Sequence, residues 1–259
     1  MAIKCAIQLG IPDLINNHGQ RITLSKLVTA LNIIPNKAEA LQRLMRILVH
    51  CGFFARQKAN EDEQEEEYLL TPASKLLLED KPLKAIPIMH LALGPIISAP
   101  FHFVSTWFQN DDPTMFETAH GKTFWDFACH EPRFKNVFQE AMTSDSQLIS
   151  SVVTKDCRWV FKGLNSLVDV GGGKGTVAKV NFIVSIILTI IDIAIVEQKE
   201  GKETILKTQL CIDVMMMALF NTGKERSVEE WKKLSLEAGF TDYKITPILG
   251  LRSIIELYP

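Results

Sequence analysis

Residues 1–15 carry apolar side chains at three- and four-residue intervals and end in the turn cluster Asn16-Asn17-His18-Gly19, which predicts one helix and its stop. A second helix is expected through Leu31, capped by Thr23 or Ser25. A third follows with Asn36 as its cap, where Ala38, Leu41, Leu44, Met45, Leu48 and Val49 form one stripe that must face a core. The period then shortens. Phe53-Phe54-Ala55 and Tyr68-Leu69-Leu70 read as strand arms around a polar tip, and Thr71-Pro72 opens another helix with a capping hydroxyl and a proline at its first position. Three helices and a hairpin make the order of a winged helix.

Residues 83–150 read as helical, with breaks at Pro87, Pro95, Pro100, Pro113 and Pro132. Aromatic residues are dense here (Phe101, Phe103, Trp107, Phe108, Phe116, Phe124, Trp125, Phe127, Phe134, Phe138), and most are expected in a core, with a minority left to line a pocket. Residues 181–196 are almost continuously apolar. About sixteen residues give a helix of about 24 Å against a hydrocarbon core of about 30 Å, too short to span, and Asp192 lies inside the run. The β-branched stretch 190–196 instead favours a buried parallel strand. The end is regular: an apolar, methionine-rich helix over 206–220, a Gly223-Lys224-Glu225-Arg226 turn, and a capping box Ser227-Val228-Glu229-Glu230 starting a helix that Gly239 stops. Residues 242–249 and 251–258 then form a closing strand pair in which Pro247 marks an edge or a bulge.

Composition removes several classes. The chain has 259 residues, 47% hydrophobic and 22% charged, with a net charge of -2, so it has no general attraction to nucleic acid or anionic lipid. A winged helix invites DNA binding, but the run Glu61-Asp62-Glu63-Gln64-Glu65-Glu66-Glu67 would put a solvated acidic wing against a polyanion. The five cysteines are scattered, without a C-x-x-C pair or a secretory leader, which suits a reducing cytoplasm. The six histidines lack metal-ligand spacing, so no metal is expected.

The chemistry concentrates in Leu167-Val168-Asp169-Val170-Gly171-Gly172-Gly173-Lys174-Gly175, an apolar run that delivers a glycine cluster with Thr176-Val177-Ala178-Lys179 after it. Such a loop lets a ligand approach the backbone closely and offers it free amides at a helix start. It is not a P-loop: with Gly173-Lys174 as the Gly-Lys pair, the first glycine would fall at Val168. Nor does it give a clean G-x-G-x-x-G, which weakens an NAD reading and leaves other adenosine cofactors open.

Several stretches jointly resemble plant S-adenosylmethionine-dependent O-methyltransferases of the flavonoid and isoflavone type. Lys4-Cys5-Ala6-Ile7-Gln8-Leu9-Gly10-Ile11-Pro12-Asp13 looks like the dimerisation domain, His120-Gly121-Lys122-Thr123-Phe124-Trp125 like the substrate-side helices, residues 166–175 like the cofactor loop, and Asn221-Thr222-Gly223-Lys224-Glu225-Arg226 with Glu230-Trp231-Lys232-Lys233-Leu234 like the C-terminal end. The resemblance implies an α/β protein: a mostly helical, winged-helix-like dimerisation domain over 1–82, a helical substrate-side region over 83–150, and a truncated Rossmann-like domain over 151–259. It also implies S-adenosyl-L-methionine as cofactor, a small phenolic acceptor, and a homodimer or a heterodimer with a full-length relative, without nucleic acid or membrane. Motif by motif, the cofactor positions fall on Gly171, Gly173, Asp169 and Ser146, and the two acids that hold the family's histidine base fall on Asp192 and Glu225.

The sequence departs from that family in two places. It begins inside the dimerisation domain, so a leading helix is expected to be missing. Val180 also runs almost directly into the strand carrying Asp192, without the ribose-binding acid, the adenine-side loop or the histidine base. Asp192 lies about 20 residues past the glycines, the spacing of a ribose-binding acid, but the text from Glu197 to Lys233 follows the family's late strand. All six histidines precede the glycine loop, and only His120 or His130 in a folded pocket would offer a substitute. The expectations are an O-methyltransferase impaired by loss of its histidine segment, or an inactive isoform that dimerises with a full-length relative.

Overall fold

The computed structural model describes residues 1–58, 65–162, 165–166, 183–184, 188–196 and 203–258. The chain divides into two compact units: 1–94 with 137–148, and 95–136 with 149–259.

In the first unit, the expected single opening helix is two, α1 (Ala2–Gln8) and α2 (Ile11–Asn17). Gly10 separates them at φ 66°, a left-handed conformation that glycine adopts without a Cβ penalty, and Pro12 starts the second helix. Strand β1 (Arg21–Thr23) leads into α3 (Leu24–Ala30), where Thr23 supplies the capping oxygen to the Lys26 amide. Asn36 does not cap the third helix. It lies in a short 3-10 turn (Pro35–Lys37), and α4 (Ala38–His50) begins after Lys37. Leu41, Met45 and Leu48 of α4 close on Ala6, Ile11, Ile15, Ile22, Leu27, Phe54 and Tyr68 in one core.

Strands β2 (Phe54–Lys58) and β3 (Glu66–Leu70) form the expected hairpin arms, and β1 pairs on the other side of β3, giving the order β1-β3-β2. The acidic run is not wholly solvated. Both Glu65 carboxylate oxygens accept from Ser25, at 2.8 Å from its amide and 2.9 Å from its hydroxyl, which puts negative charge at the start of α3. Glu66 pairs with Arg56 at 3.0 Å and Glu67 with Arg21 at 3.6 Å. Thr71 caps α5 (Pro72–Lys75) in a capping box with Ser74 and also donates toward the Gly52 and Phe53 carbonyls at the end of the α4 connection.

After α6 (Ile86–Ala92), the second unit begins with α7 (Pro95–Ser98), a 3-10 turn (Ala99–Phe103), α8 (Val104–Trp107), α9 (Met115–His120) and α10 (Phe124–His130). Helix α11 (Pro132–Asp156) follows. The prolines at 87, 95, 100 and 132 sit in first turns, where the missing amide costs nothing, so they start helices rather than break them. Phe116, Phe124 and Phe134 are buried, Phe124 stands edge-on to Phe116 and Phe134 with centroids 5.4 Å and 5.5 Å apart, and Phe220 joins Phe124 at 4.9 Å. Phe108 and Trp125 stay exposed.

Past a 3-10 turn (Arg158–Phe161) come the short strands β4 (Asn165–Ser166) and β5 (Ile183–Val184), then β6 (Leu188–Asp192), β7 (Ala194–Ile195), α12 (Glu203–Leu219), β8 (Arg226–Ser227), α13 (Val228–Glu237), β9 (Asp242–Leu249) and β10 (Arg252–Tyr258). The 190–196 stretch is not one parallel strand. Residues 188–192 pair antiparallel with β10, and only Ala194–Ile195 is parallel, to β8. The closing hairpin returns β10 between β9 and β6, so the first half of the stretch meets an antiparallel neighbour.

Between Thr246 and Leu249, β9 takes one more residue than β10 takes from Arg252 to Ile254, so Pro247 falls on an edge strand and at a bulge together. On β10, Ile254 faces Val153, Cys157 and Val160, while Ile255 and Leu257 face Ala194 and Trp231, the alternation of a strand buried on both faces. Lys244 of β9 pairs with Glu256 at 3.2 Å and lies over the Trp159 ring at 4.6 Å.

Candidate active site

Two of the expected site residues converge. Asp192 ends β6, and its Oδ1 accepts from the Ile193 amide at 2.7 Å. Glu225 immediately precedes β8, which runs parallel to β7 in the register Ala194↔Arg226. Continued one step back, that register sets Glu225 across from Ile193, beside Asp192. The local sequence explains how Glu225 is left over. Its neighbour Lys224 is drawn to Glu230, and Arg226 lies over the Trp231 ring at 5.4 Å. Among the described residues neither an ion pair nor a side-chain hydrogen bond occupies the Glu225 carboxylate.

The Glu225 backbone amide donates to Asp213 Oδ1 of α12 at 2.7 Å. Burial, then the negative charges of Asp192 and Asp213, push the Glu225 carboxyl up to about 7, against the smaller pull of Arg252 and Arg226. The folded chain therefore keeps a proton there that the unfolded chain has released above about 4.5. Since stability falls with pH wherever the folded state binds more protons, this group contributes fully below about 4.5, and its contribution is lost as pH rises to about 7. Glu225→Gln removes that component. In urea titrations at about pH 5 and about pH 8, the variant should lose less stability between the two than the parent. An equal loss in both proteins would contradict the raised carboxyl.

Asp169, Gly171 and Gly173 lie outside the described residues. Their flanks are described: β4 pairs parallel with β5 in the register Asn165↔Ile183, so the connection that carries the glycines joins two parallel strands, the setting of a nucleotide-binding loop. Ser146 is half-buried on α11 and belongs to the first unit, whereas Asp192 and Glu225 belong to the second.

Neither candidate substitute for the base is engaged with the acids. His120 donates from Nε2 to the Ile96 carbonyl at 2.9 Å and packs on Phe116 at 4.4 Å. Exposed His130 donates from Nδ1 to the Asp126 carbonyl at 2.7 Å. Among the described residues no group of three His, Cys, Asp or Glu side chains is arranged to hold a metal, and no single helix is long and apolar enough to cross a membrane. Sequence reasoning missed Asp213 and Gln209 of α12. Their signal was present only as polar residues four apart in the stretch 209–219, which is otherwise apolar.

Asp192 at the end of β6 and Glu225 just before β8 are brought near one another in the second unit, and the first unit has the winged-helix order of helices and hairpin. Residues 1–80 match the O-methyltransferase dimerisation domain and residues 101–199 the O-methyltransferase domain. The chain is 42% identical to probable O-methyltransferase 3 of Humulus lupulus, covering 100% of this chain and 89% of that protein. It is also 42% identical to the trans-resveratrol di-O-methyltransferase of Vitis vinifera, covering 100% and 92%. Among solved structures, a methyltransferase of calicheamicin biosynthesis in its SAH-bound form shares the fold, with a TM-score of 0.76 at 17% identity over 100% of this chain and 93% of that one. The chain belongs to the plant O-methyltransferases, a family whose methyl donor is S-adenosyl-L-methionine. The Humulus alignment runs over 335 positions against 259 residues here, so at least the difference, 76 positions, has no residue in this chain.

Proposed function

We propose that this chain is an S-adenosyl-L-methionine-dependent O-methyltransferase of a small plant phenolic, in the cytoplasm, whose turnover is impaired because the histidine its carboxylates would hold is missing. The observation that carries the reading is the nearness of Asp192 and Glu225, which lie just before β7 and β8, with no imidazole among the described residues hydrogen-bonded to either. Phenolic acceptors are supported by the relatives' names, which include a trans-resveratrol di-O-methyltransferase and an 8-hydroxyquercetin 8-O-methyltransferase. Five free cysteines suit a reducing compartment.

When bound, the cofactor supplies an electrophilic methyl group on a sulfonium. The acceptor needs its proton removed, since a phenol of pKa near 10 is only about one part in a thousand ionised at neutral pH. In this reading Asp192 and Glu225 accept hydrogen bonds from a proton-carrying group between them. Glu225, holding its own proton near neutrality, offers less negative charge for that task than an ionised pair.

A second reading is favoured by the first unit, whose core from Ala6 to Tyr68 is built entirely from its own residues. In that reading the chain is an inactive isoform that pairs with a full-length relative through this unit. Calorimetry of the full chain with S-adenosylhomocysteine separates the two. Binding heat is expected, together with slow methyl transfer to resveratrol or 8-hydroxyquercetin. A folded sample that gives no heat overturns the enzyme reading, and co-purification with a tagged full-length relative then supports the second.

A further inference from the structure

Helix α12 carries two polar side chains one turn apart, Gln209 and Asp213, and residues four apart leave the same face of a helix. The face is not a solvent face. Gln209 is 4% exposed, and a buried amide side chain is retained only where its hydrogen bonds are met. Its Nε2 donates to the Leu251 carbonyl at 2.8 Å, in the turn between β9 and β10, and to the Ala194 carbonyl of β7 at 3.4 Å. One turn along, Asp213 Oδ1 accepts from the Glu225 amide at 2.7 Å. The helix thus holds the strand that follows Asp192 with one side chain and the residue that precedes β8 with the other. Trp231 of α13 adds a third tie, donating from Nε1 to the Ile193 carbonyl at 2.9 Å.

We propose that Gln209 and Asp213 are positioning residues of the carboxylate pair: the α12 face they share sets the separation and alignment of Asp192 and Glu225. This rests on the reading above that those two acids are the family's pair, but its physical content does not depend on turnover. Among the described residues only four of ladder, Ala194–Ile195 with Arg226–Ser227, join the two strands directly. So short a pairing does not fix two side chains at its ends, and the α12 contacts supply what the ladder lacks. The charged groups facing Glu225 are Asp192 from β6, Asp213 from α12, Arg252 from β10 and Arg226 from β8.

The test uses the full chain labelled with 13C at the glutamate carboxyls, with the Glu225 signal assigned by its disappearance in Glu225→Gln, and amide hydrogen exchange measured in parallel. Asp213→Ala should speed exchange at the Glu225 amide by about tenfold or more, the worth of a hydrogen bond to a charged group, while Ile254 and Ile255 in the core stay protected. Asp213→Asn keeps an oxygen for that amide, so protection should return while the Glu225 titration midpoint falls with the loss of one like charge.

Gln209→Met is uncharged, of similar volume, and unable to hold the Ala194 carbonyl. It should also lower the Glu225 midpoint, because Asp192 is no longer held beside it. A structural role confined to packing would leave that midpoint in place. Unchanged exchange at Glu225 in Asp213→Ala, or an unchanged midpoint in Gln209→Met with the Ile254 and Ile255 amides protected, overturns the proposal. Should either variant lose core protection, Asp213→Asn decides alone: retained protection with a lowered midpoint supports the positioning role, and any other result overturns it. Absence of methyl transfer would defeat the functional reading and leave these results standing.

Discussion

Returning the segment this chain lacks should raise methyl transfer by about 10² to 10⁴, the usual worth of general acid–base assistance. The donor is the Vitis relative, and on the function proposed above its residues would enter between Lys179 and Leu188, ahead of the strand of Asp192. The physical reason lies in the site as it stands. Asp192 is tied to the Ile193 amide, Glu225 is poised near 7, and all six histidines of the chain come earlier and are not bonded to either acid. An imidazole between the carboxylates would take the acceptor's proton and find its own charge stabilised by them. Single-turnover transfer of a labelled methyl group is the measurement. A grafted chain that is folded and binds S-adenosylhomocysteine, yet transfers no faster than the parent, would show that the missing histidine is not what limits this protein.

The largest stability effect is expected at Phe116. Its ring is fully buried against His120 at 4.4 Å, Phe124 at 5.4 Å and Phe127 at 5.6 Å, and it lies in a helix capped at both ends by Thr114 and Gly121. Phe116→Ala should cost about 3–5 kcal/mol, from lost transfer energy and the cavity that rigid aromatic neighbours cannot fill. Phe116→Leu keeps most of the volume and should cost less, about 1–2 kcal/mol. Urea titration of the full chain gives both values from the shift in midpoint at constant slope. A loss below about 1 kcal/mol for the alanine variant would mean that the cluster collapses freely, contrary to its edge-on packing. His120 reports separately, since its ring packs on Phe116 and its Nε2 bond to the Ile96 carbonyl should loosen with it.

Much of this could be read along the chain because it depends on local physics. The capping box at Ser227, the Thr71 cap, the stop at Gly239 and the strand pair around Pro247 each follow from a few adjacent residues, and each is present. Motif identity alone marked Asp192 and Glu225 as partners. Where the sequence misled, a competing neighbour or a longer-range contact had decided. Asn36 lost its cap to a 3-10 turn led by Pro35, and the glutamates after the wing tip found Ser25, Arg56 and Arg21 instead of water.

Hydrophobic period, caps and family motifs by themselves determined a winged-helix-like unit and a methyltransferase domain. They did so because helix, strand and turn preferences act over a few residues. Only the tertiary structure decided that the 190–196 stretch splits between an antiparallel and a parallel neighbour, and that Gln209 reaches the strand after Asp192 while Asp213 holds the Glu225 amide. It also decided that the Glu225 carboxyl sits near 7. Burial and the charges of residues 12 and 33 positions earlier in the chain, Asp213 and Asp192, set that value, and no local pattern encodes which distant carboxylates will share one partly dry site.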